Sequence, residues 1–270
     1  MSTGPALVDI HNHLIPGVDD GARSMDEAMA ALAAMHEQGV RRLAATPHLD
    51  AELTHRPQAL HERLARIDAA WESFRAAAVE RFPDVEIARG NEIMLDVPRV
   101  VLTDARVRLG GGTAVLVEFP RLFVPAGSTD ALYRIQLEGY RAVVAHPERY
   151  VNVGSSDLSL VDQWCRTGAV MAVNAGSLMG GFGPAAQSTA REMLRRGWAH
   201  VIGSDYHARA GRRPLLLRAA YDDLVRVGGE EQARLLLSVN PGRLMDGEAP
   251  IAVPPLPVGV WSRLRAIFKR

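Results

Sequence analysis

Histidines and carboxylates recur in short polar segments at widely separated places in this chain. The first segment, DIHNHLIPGVDDG at residues 9–21, has two histidines one residue apart followed by two adjacent aspartates. Imidazole and carboxylate groups suit borderline divalent ions such as Mn, Fe, Co and Zn. A single His-x-His pair is a weak signal, but further residues of ligand type accompany it. The candidates are His11, His13, His48, Glu92, Glu118, His146, Asp205 and His207, with Asp20 as a ninth.

Short apolar runs come directly before most of these candidates. Each run is bounded by turn or polar residues, as is typical of buried parallel strands. Segments with helical periodicity lie between the runs, and one of them begins with a capping box of Ser24 and Glu27 and ends at Gly39. The predicted strands are 6–10, 41–46, 85–90, 114–119, 141–146, 169–174 and 199–205, and the predicted helices are 24–39, 57–81, 128–138, 157–166, 185–196 and 214–227.

The regular alternation of strands and helices predicts an α/β fold of the (β/α) barrel type with seven strands. The carboxyl ends of barrel strands converge on one face, where the active site forms. Five of the nine histidines lie at these ends, together with the acidic candidates. Nine ligands exceed what one ion needs, so we expect two or three ions in one cluster. Such clusters stabilise both the attacking and the leaving oxygens of phosphoryl transfer.

The composition argues against several other classes of protein. Lys plus Arg equals Asp plus Glu at 31 each, so the net charge gives no reason to expect nucleic acid or an anionic membrane as a partner. The single cysteine, Cys165, cannot form an internal disulfide, and Met171 stands where a cysteine-dependent phosphatase would need an arginine. The chain starts without the pattern of a signal peptide and has no apolar run that could span a bilayer. The predicted location is therefore the cytoplasm.

The chain changes character after residue 247. Residues 1–247 are predicted to form the barrel domain. Residues 248–270 begin with a Pro-rich, extended stretch and end in WSRLRAIFKR, a short basic amphipathic segment. That segment is interpreted as a helix on the barrel or a frayed tail, with contact to a partner or a membrane surface as the alternative.

Eight motifs occur together in the order and spacing of a known superfamily. They are DIHNH, VDDG, ATPH, GNEI, VEF, AHPERY, GSDYH and NPGRLM, and they span about residues 8–247. In these motifs the chain resembles the PHP superfamily (polymerase and histidinol phosphatase), and more narrowly its metal-dependent protein-tyrosine phosphatases of bacterial capsule and exopolysaccharide loci. The resemblance implies a distorted (β/α)7 barrel of the PHP type with a trinuclear metal site. It also implies Mn as the usual ion, with Fe, Co, Zn or Mg as alternatives.

The resemblance assigns roles to individual residues. It implies that all nine candidates bind metal, and it favours Asp20 over Asp19 because Asp20 directly precedes the glycine in VDDG. Arg149, in HPERY, matches an arginine that holds the substrate phosphate during catalysis. A second such arginine is Arg212, with Arg213 as the neighbouring alternative.

The predicted activity is metal-assisted hydrolysis of phosphotyrosine in a protein. By resemblance, that protein is an autophosphorylated bacterial tyrosine kinase that controls capsule or exopolysaccharide synthesis. Two alternatives stay open: a histidinol phosphatase with nearly the same metal ligands, and a non-catalytic regulator on the same scaffold. The regulator is disfavoured because all nine ligand positions hold ligand-type residues. The predicted partners include neither nucleic acid nor a membrane into which the chain inserts.

Overall fold

The protein folds around parallel β-sheets, and a computed structural model describes residues 4–208 and 214–256. Every strand pair in this part of the chain is parallel. One sheet has the order β1-β2-β4 and the other the order β3-β5-β6-β7-β8-β9. The α/β class predicted from the sequence is therefore confirmed. The strands are β1 Leu7–Asp9, β2 Val40–Ala45, β3 His48–Asp50, β4 Glu86–Arg89, β5 Glu92–Met94, β6 Ala114–Glu118, β7 Arg141–Ala145, β8 Val170–Asn174 and β9 Val201–Gly203.

Two strands are interrupted, and each continues in the other sheet. Between β2 and β3 lies Pro47, which has no N–H for a ladder and whose carbonyl accepts from the Glu92 N–H at 3.1 Å. Between β4 and β5 lies Gly90, where a Cβ would come within 3.1 Å of the Arg108 backbone. As a result, His48 and Glu92 become register partners at the start of β3 and β5. The apolar pattern predicts only the first segment of each pair and misses the second.

The long helices agree closely with their predicted ranges, and the short ones after β8 and after α7 were not predicted. The Ser24 hydroxyl caps α1 by accepting from the Glu27 N–H at 3.3 Å. The Glu27 carboxylate accepts from the Arg23 N–H at 2.8 Å, so the predicted capping box forms only in part. The helices are α1 Met25–Glu37, α2 Pro57–Arg81, α3 Ser128–Leu137, α4 Ser159–Arg166, α5 Ala175–Leu178, α6 Gly183–Arg196, α7 Leu217–Arg226, α8 Glu230–Arg234 and α9 Asn240–Met245, with a π-helical turn at Leu235–Val239 and 3₁₀ turns at Ala51–His55, Ala105–Val107, Leu109–Gly111, Pro120–Leu122 and Pro147–Arg149.

Alternate residues of the central strands pack into two different apolar clusters. In β7, Ala142 and Val144 belong to the large cluster that includes the helices. Their neighbours Val143 and Ala145 belong to a smaller cluster that also holds Ile10, near β1, and residues of β2, β6, β8 and β9. Successive side chains of a strand point to opposite faces, so both faces of these strands are buried. The smaller cluster joins residues of both sheets in one interior.

Beyond their carboxyl ends, β1 and β9 are joined by backbone and side-chain hydrogen bonds. Asn12 and Tyr206 form an isolated parallel bridge, in which the His13 N–H donates to the Tyr206 carbonyl at 2.9 Å. The buried carboxylate of Asp9 accepts from the Ser204 hydroxyl at 2.7 Å and from the Asn12 amide at 3.0 Å. Asn12 therefore points away from the two histidines that flank it, and it holds the segments that carry them.

The Pro-rich segment after α9 packs on the protein as far as it is described. Val253 and Leu256 are buried in the large apolar cluster, and the Leu256 N–H donates to the Leu194 carbonyl at 3.1 Å. The basic segment predicted at residues 261–270 lies outside the described residues. No helix in residues 4–208 or 214–256 has the length and apolar character needed to cross a membrane.

His200, just before β9, is held as a neutral hydrogen-bond acceptor. Its ring atom Nδ1 accepts from the Met171 backbone N–H at 3.0 Å. The backbone N–H of His200 donates to the Met171 carbonyl at 3.0 Å. Burial lowers the pKa of His200 from 6.5 to about 4. Between these two pH values the unfolded chain binds a proton that the folded protein does not.

We therefore expect the contribution of His200 to stability to be complete above its unfolded pKa and to decrease as the pH falls toward 4. The free energy of unfolding should decrease by up to about 3 kcal/mol over this range. His200→Asn keeps an acceptor near the position of Nδ1 but does not titrate, so it should remove this part of the pH dependence. Urea unfolding of both proteins at about pH 7.5 and about pH 5 measures the difference. An identical pH dependence in the two proteins would contradict the assignment.

Candidate metal centre

The nine predicted ligands lie together around the carboxyl ends of the strands, with Asp20 in the loop after β1 and with His48 and Glu92 at the breaks that follow β2 and β4. They form four overlapping groups, and within each group one donor atom of every residue lies within 4.8 Å of the others. Four residues belong to two groups each: His11, His13, His48 and Glu92. Shared members of this kind are what a cluster of neighbouring ions requires. The groups are His13, Asp20, His48 and His207; His11, His13 and Asp205; His11, Glu92 and His146; and His48, Glu92 and Glu118.

Glu92 lies at the middle of the centre. Its Oε1 is 3.1 Å from both His11 Nε2 and His146 Nε2. Its Oε2 is 3.3 Å from His13 Nε2 and 3.2 Å from His48 Nδ1. Burial by itself would raise the pKa of Glu92, but the surrounding imidazoles hold that pKa well below its usual range. The carboxylate therefore stays ionised, with both oxygens directed at ligand-type nitrogens.

Asp205 forms the opposite side of the centre. Its Oδ1 is 3.5 Å from His11 Nε2 and 3.4 Å from His207 Nδ1. Its Oδ2 accepts from Arg149 and, at 3.2 Å, from the Asn174 amide. Burial would raise the pKa of Asp205, and the adjacent histidines lower it instead. Asn174 also caps α5 through its Oδ1, so this one side chain both ends β8 and orients Asp205.

Two of the predicted ligands have left-handed backbone conformations. His146 has φ 36° and Asp205 has φ 49°, a region that residues with a Cβ enter at a cost of about 1–2 kcal/mol. Both backbones are held by ladder-like bonds: the His146 N–H donates to the Ala172 carbonyl and the Asp205 N–H to the His11 carbonyl, each at 2.8 Å. The strand ends thus turn sharply and direct these two side chains inward.

The two adjacent aspartates have different contacts. Asp20 Oδ1 is 3.3 Å from both His48 Nε2 and His207 Nε2, and its side chain is 59% exposed. The side chain of Asp19 is buried, and its oxygens accept from His13 Nδ1 at 2.8 Å, the Gly21 N–H at 2.9 Å and the His48 N–H at 3.2 Å. Asp20 therefore faces the open side of the centre, whereas Asp19 orients its ligands from behind.

The donor atoms of the centre fit divalent ions. Burial raises the pKa of Asp19, but the hydrogen bond and the charge of His13 outweigh this and lower it to about 2. Because a carboxylate only accepts, Nδ1 of His13 carries a proton toward Asp19, so Nε2 is the nitrogen that can offer a lone pair to an ion. Within the described residues, His11 Nε2, His13 Nε2 and Glu92 Oε2 are buried without a hydrogen-bond partner of good geometry. Buried polar atoms of this kind are costly unless a water or an ion satisfies them.

The loop between His13 and α1 folds back so closely that it depends on a glycine. A Cβ at Gly21 would lie 2.1 Å from the His13 carbonyl oxygen. The Ala22 N–H donates to the same carbonyl at 3.0 Å. Arg63 of α2 fastens the loop from outside, because its guanidinium donates to the carbonyls of Val18 and His48, each at 2.8 Å. Nothing in the spacing of the motifs points to Arg63, since it lies inside a long helix.

Arg149, which the resemblance predicts to hold the substrate phosphate, lies at the edge of the centre. Its guanidinium bonds to Asp205 and stacks on the ring of Phe182, with the guanidinium carbon 4.3 Å from the ring centroid. Phe182 lies in the glycine-rich stretch GGFG at residues 180–183. Arg212 and Arg213, the two candidates for a second phosphate-binding arginine, lie outside the described residues.

Asp19→Asn should weaken metal binding without removing a candidate ligand. An amide can present either its donor or its acceptor end to His13, so it no longer fixes the proton of His13 on Nδ1. We therefore expect about 10-fold to 100-fold lower metal affinity. Competition with a fluorescent chelator measures the affinity. Asp26→Asn, at an exposed position in the first turn of α1, is the matched control and should bind metal as the wild type does. Wild-type affinity in Asp19→Asn would show that Asp19 does not orient His13.

The parallel α/β fold, with imidazoles and carboxylates gathered at the strand ends, is typical of proteins that hold a group of divalent ions. The family model described as "Capsular polysaccharide synthesis, CpsB/CapC" matches residues 7–246. The chain therefore belongs to the CpsB/CapC family.

Named relatives cover nearly the whole chain. Tyrosine-protein phosphatase YwqE of Bacillus subtilis strain 168 is 27% identical over 254 residues, which are 93% of this chain and 96% of YwqE. Tyrosine-protein phosphatase CpsB of Streptococcus pneumoniae is 29% identical over 248 residues, 88% of this chain and 98% of CpsB. A crystal structure from work on YwqE and CpsB, described there as "unique metal-dependent tyrosine phosphatases", superposes with a TM-score of 0.74 at 27% identity, covering 93% of this chain and 99% of the other.

Proposed function

We propose that this protein is a metal-dependent protein-tyrosine phosphatase. The observation that carries the proposal is the set of four overlapping donor groups at the strand ends, with the guanidinium of Arg149 at their edge. Several ligand groups within a few ångströms suit a phosphoryl-transfer site, and an adjacent arginine suits the phosphate. The names of the relatives supply the substrate class, which the geometry alone does not.

We further propose that the two sheets make up a distorted (β/α)7 barrel, with residues 1–247 as its domain and 248–270 as a C-terminal extension. Counting β2 with β3 and β4 with β5 as bent strands gives seven strands, in agreement with the sequence pattern. The Asn12–Tyr206 bridge and the apolar cluster shared by both sheets support closure around one interior. The bends would give the barrel its distortion.

The nine residues His11, His13, Asp20, His48, Glu92, Glu118, His146, Asp205 and His207 would hold two or three divalent ions. We propose Mn, with Fe, Co, Zn or Mg as alternatives. When bound, such ions supply Lewis acidity and lower the pKa of a water that attacks phosphorus.

The remaining steps fall to the protein's own side chains. Arg149 can donate two parallel hydrogen bonds to phosphate oxygens, since its guanidinium is planar and already oriented by Asp205 and Phe182. Asp20 and His48 are the more exposed members of the centre, so substrate would enter from their side. The phenolate of tyrosine has a pKa of about 10 and leaves more readily than an alkoxide. The need for a general acid is correspondingly small.

The substrate is proposed to be an autophosphorylated bacterial tyrosine kinase of capsule or exopolysaccharide synthesis, in the cytoplasm. A substrate panel with purified protein tests the activity: a phosphotyrosine peptide, a matched phosphoserine peptide and histidinol phosphate, each with Mn²⁺ and with a chelator. We expect hydrolysis of the phosphotyrosine peptide above the other two, and its loss with the chelator. Preference for histidinol phosphate would replace the proposed substrate by the small-molecule alternative. No hydrolysis of any substrate, together with less than one equivalent of bound metal, would favour the non-catalytic scaffold.

A further inference from the structure

The turn after β6 has an unusual backbone beside the candidate metal centre. Arg121 and Leu122 have φ values of 57° and 52°, so two consecutive residues with side chains are left-handed. Such a pair is disfavoured sterically and persists only where the surroundings hold it. Arg121 lies three residues after Glu118, which belongs to the centre.

Hydrogen bonds tie this turn to the segment that follows Arg149. The Phe119 N–H donates to the Tyr150 hydroxyl at 3.0 Å, and the Val151 N–H donates to the Leu122 carbonyl at 3.0 Å. The Val124 N–H donates to Asn152 Oδ1 at 2.9 Å. The turn is therefore fastened along its length to residues 150–152, directly after the arginine at the edge of the centre.

The result is a small exposed surface of mixed character. Phe123 is 51% and Val151 is 78% exposed. Arg121 is exposed as well, and in the described part of the chain it forms no ion pair. We name Arg121, Phe123 and Val151 the rim surface. It presents one uncompensated positive charge beside two apolar side chains.

The rim surface lies within reach of a peptide held at the centre. Three residues of chain span at most about 11 Å, so Arg121 is no farther than this from Glu118, Cα to Cα. Val151 follows Arg149 by two residues, which keeps it at a similar or shorter range. An extended peptide advances about 3.3 Å per residue. Positions within about three residues of a bound phosphotyrosine would therefore meet this surface.

We propose that the rim surface binds the residues that flank the phosphotyrosine and selects peptides with acidic residues there. This inference rests on the proposed phosphatase function. A carboxylate on the peptide would pair with Arg121, which has no carboxylate partner of its own among the described residues. The apolar parts of the flanking side chains would pack on Phe123 and Val151. The held left-handed turn would keep the backbone of the arginine in place before the substrate arrives, which lowers the backbone entropy lost on binding.

The test compares two phosphonate peptides whose tyrosine phosphate is replaced by a difluoromethylphosphonate that cannot be hydrolysed. One peptide has glutamates on both sides of this residue and the other has glutamines. Binding to the Mn²⁺-loaded full-length protein is measured by fluorescence anisotropy. We expect about threefold to fivefold tighter binding of the glutamate peptide, as an exposed ion pair allows. The preference should shrink as salt is added.

Variants assign the preference to one residue. Arg121→Gln should bring the ratio of the two dissociation constants close to one, and Arg121→Lys should keep it. The matched control is Arg234→Gln, which removes an exposed arginine of α8 and should leave the ratio unchanged. Phe123→Ser should weaken binding of both peptides by a similar factor.

Several results would overturn the inference. The first is that the wild type binds the two peptides equally. The second is that Arg121→Gln keeps the full preference for the glutamate peptide. A third is a Phe123→Ser variant whose oligomeric state changes in sedimentation while its peptide binding does not, because this would assign the surface to a second copy of the chain. Hydrolysis of p-nitrophenyl phosphate by the wild type is measured separately and tests the proposed phosphatase function, so a failure of either idea is recognised by its own readout.

Discussion

Glu92→Gln is expected to lower kcat/KM for phosphotyrosine peptides by about three orders of magnitude or more. A factor of about a thousand corresponds to about 4 kcal/mol of lost transition-state stabilisation, which the loss of a charged group in the middle of the centre can supply. Glu92 meets four imidazoles, His11, His13, His48 and His146, within 3.3 Å. The neutral amide keeps the size of the side chain and loses the charge that holds this group together. Bound metal should therefore fall together with activity.

The measurements are steady-state kinetics with Mn²⁺ and metal content by mass spectrometry. Glu80→Gln, at an exposed position of α2, is the matched control and should match the wild type in both. Circular dichroism separates loss of metal from loss of fold. Full activity and full metal content in Glu92→Gln would refute the assignment of Glu92 to the centre.

Arg149→Lys should lower kcat/KM by about 10-fold to 100-fold while most of the metal stays bound. Lysine keeps the charge but loses the planar fork that can bond two phosphate oxygens at once. It also loses much of the stacking on Phe182 that orients the guanidinium. Arg149→Met, without the charge, should be worse than Arg149→Lys. This ranking follows from a phosphate-binding role and would not follow from packing alone.

Arg166→Lys is the control for this pair of variants. Arg166 is an exposed arginine that pairs with Asp162 on α4, and its replacement should leave kcat/KM unchanged. Because Arg149 also bonds to Asp205, metal content must be measured in every variant. If Arg149→Lys lost metal in proportion to activity, its main role would be to hold Asp205 rather than phosphate.

The sequence was enough to predict the class of fold and the members of the centre. Apolar runs that alternate with segments of helical periodicity predicted parallel strands. In a fold of this type the carboxyl ends of the strands all lie on the face that carries the site, and this does not depend on the details of packing. The candidate ligands could therefore be chosen by position along the chain, without knowledge of any contact. The structure gathers all nine into four overlapping groups, and the donor atoms within each group lie within 4.8 Å of one another. Their role as ligands is the proposal that Glu92→Gln tests.

The different contacts of Asp19 and Asp20 could not be predicted from adjacency. Both are short carboxylates in one loop, and the loop's path decides which one turns toward the open side. That path depends on the close approach of Gly21 to His13 and on Arg63, which holds the loop from a helix more than forty residues later. Such contacts join residues far apart in sequence, and they have no local signature.

The same reason limits what the strand pattern could predict. In the sequence, the breaks at Pro47 and Gly90 look like strand ends. Only the six-stranded sheet, to which β3 and β5 belong, reveals that each strand continues beyond its break. The left-handed conformations of His146, Asp205 and Leu122 are likewise held by bonds to distant segments. By itself the sequence determined which side chains are available for chemistry, through residue type and strand period. The tertiary structure decided which way they point, because orientation depends on long-range packing and hydrogen bonding that no local pattern encodes.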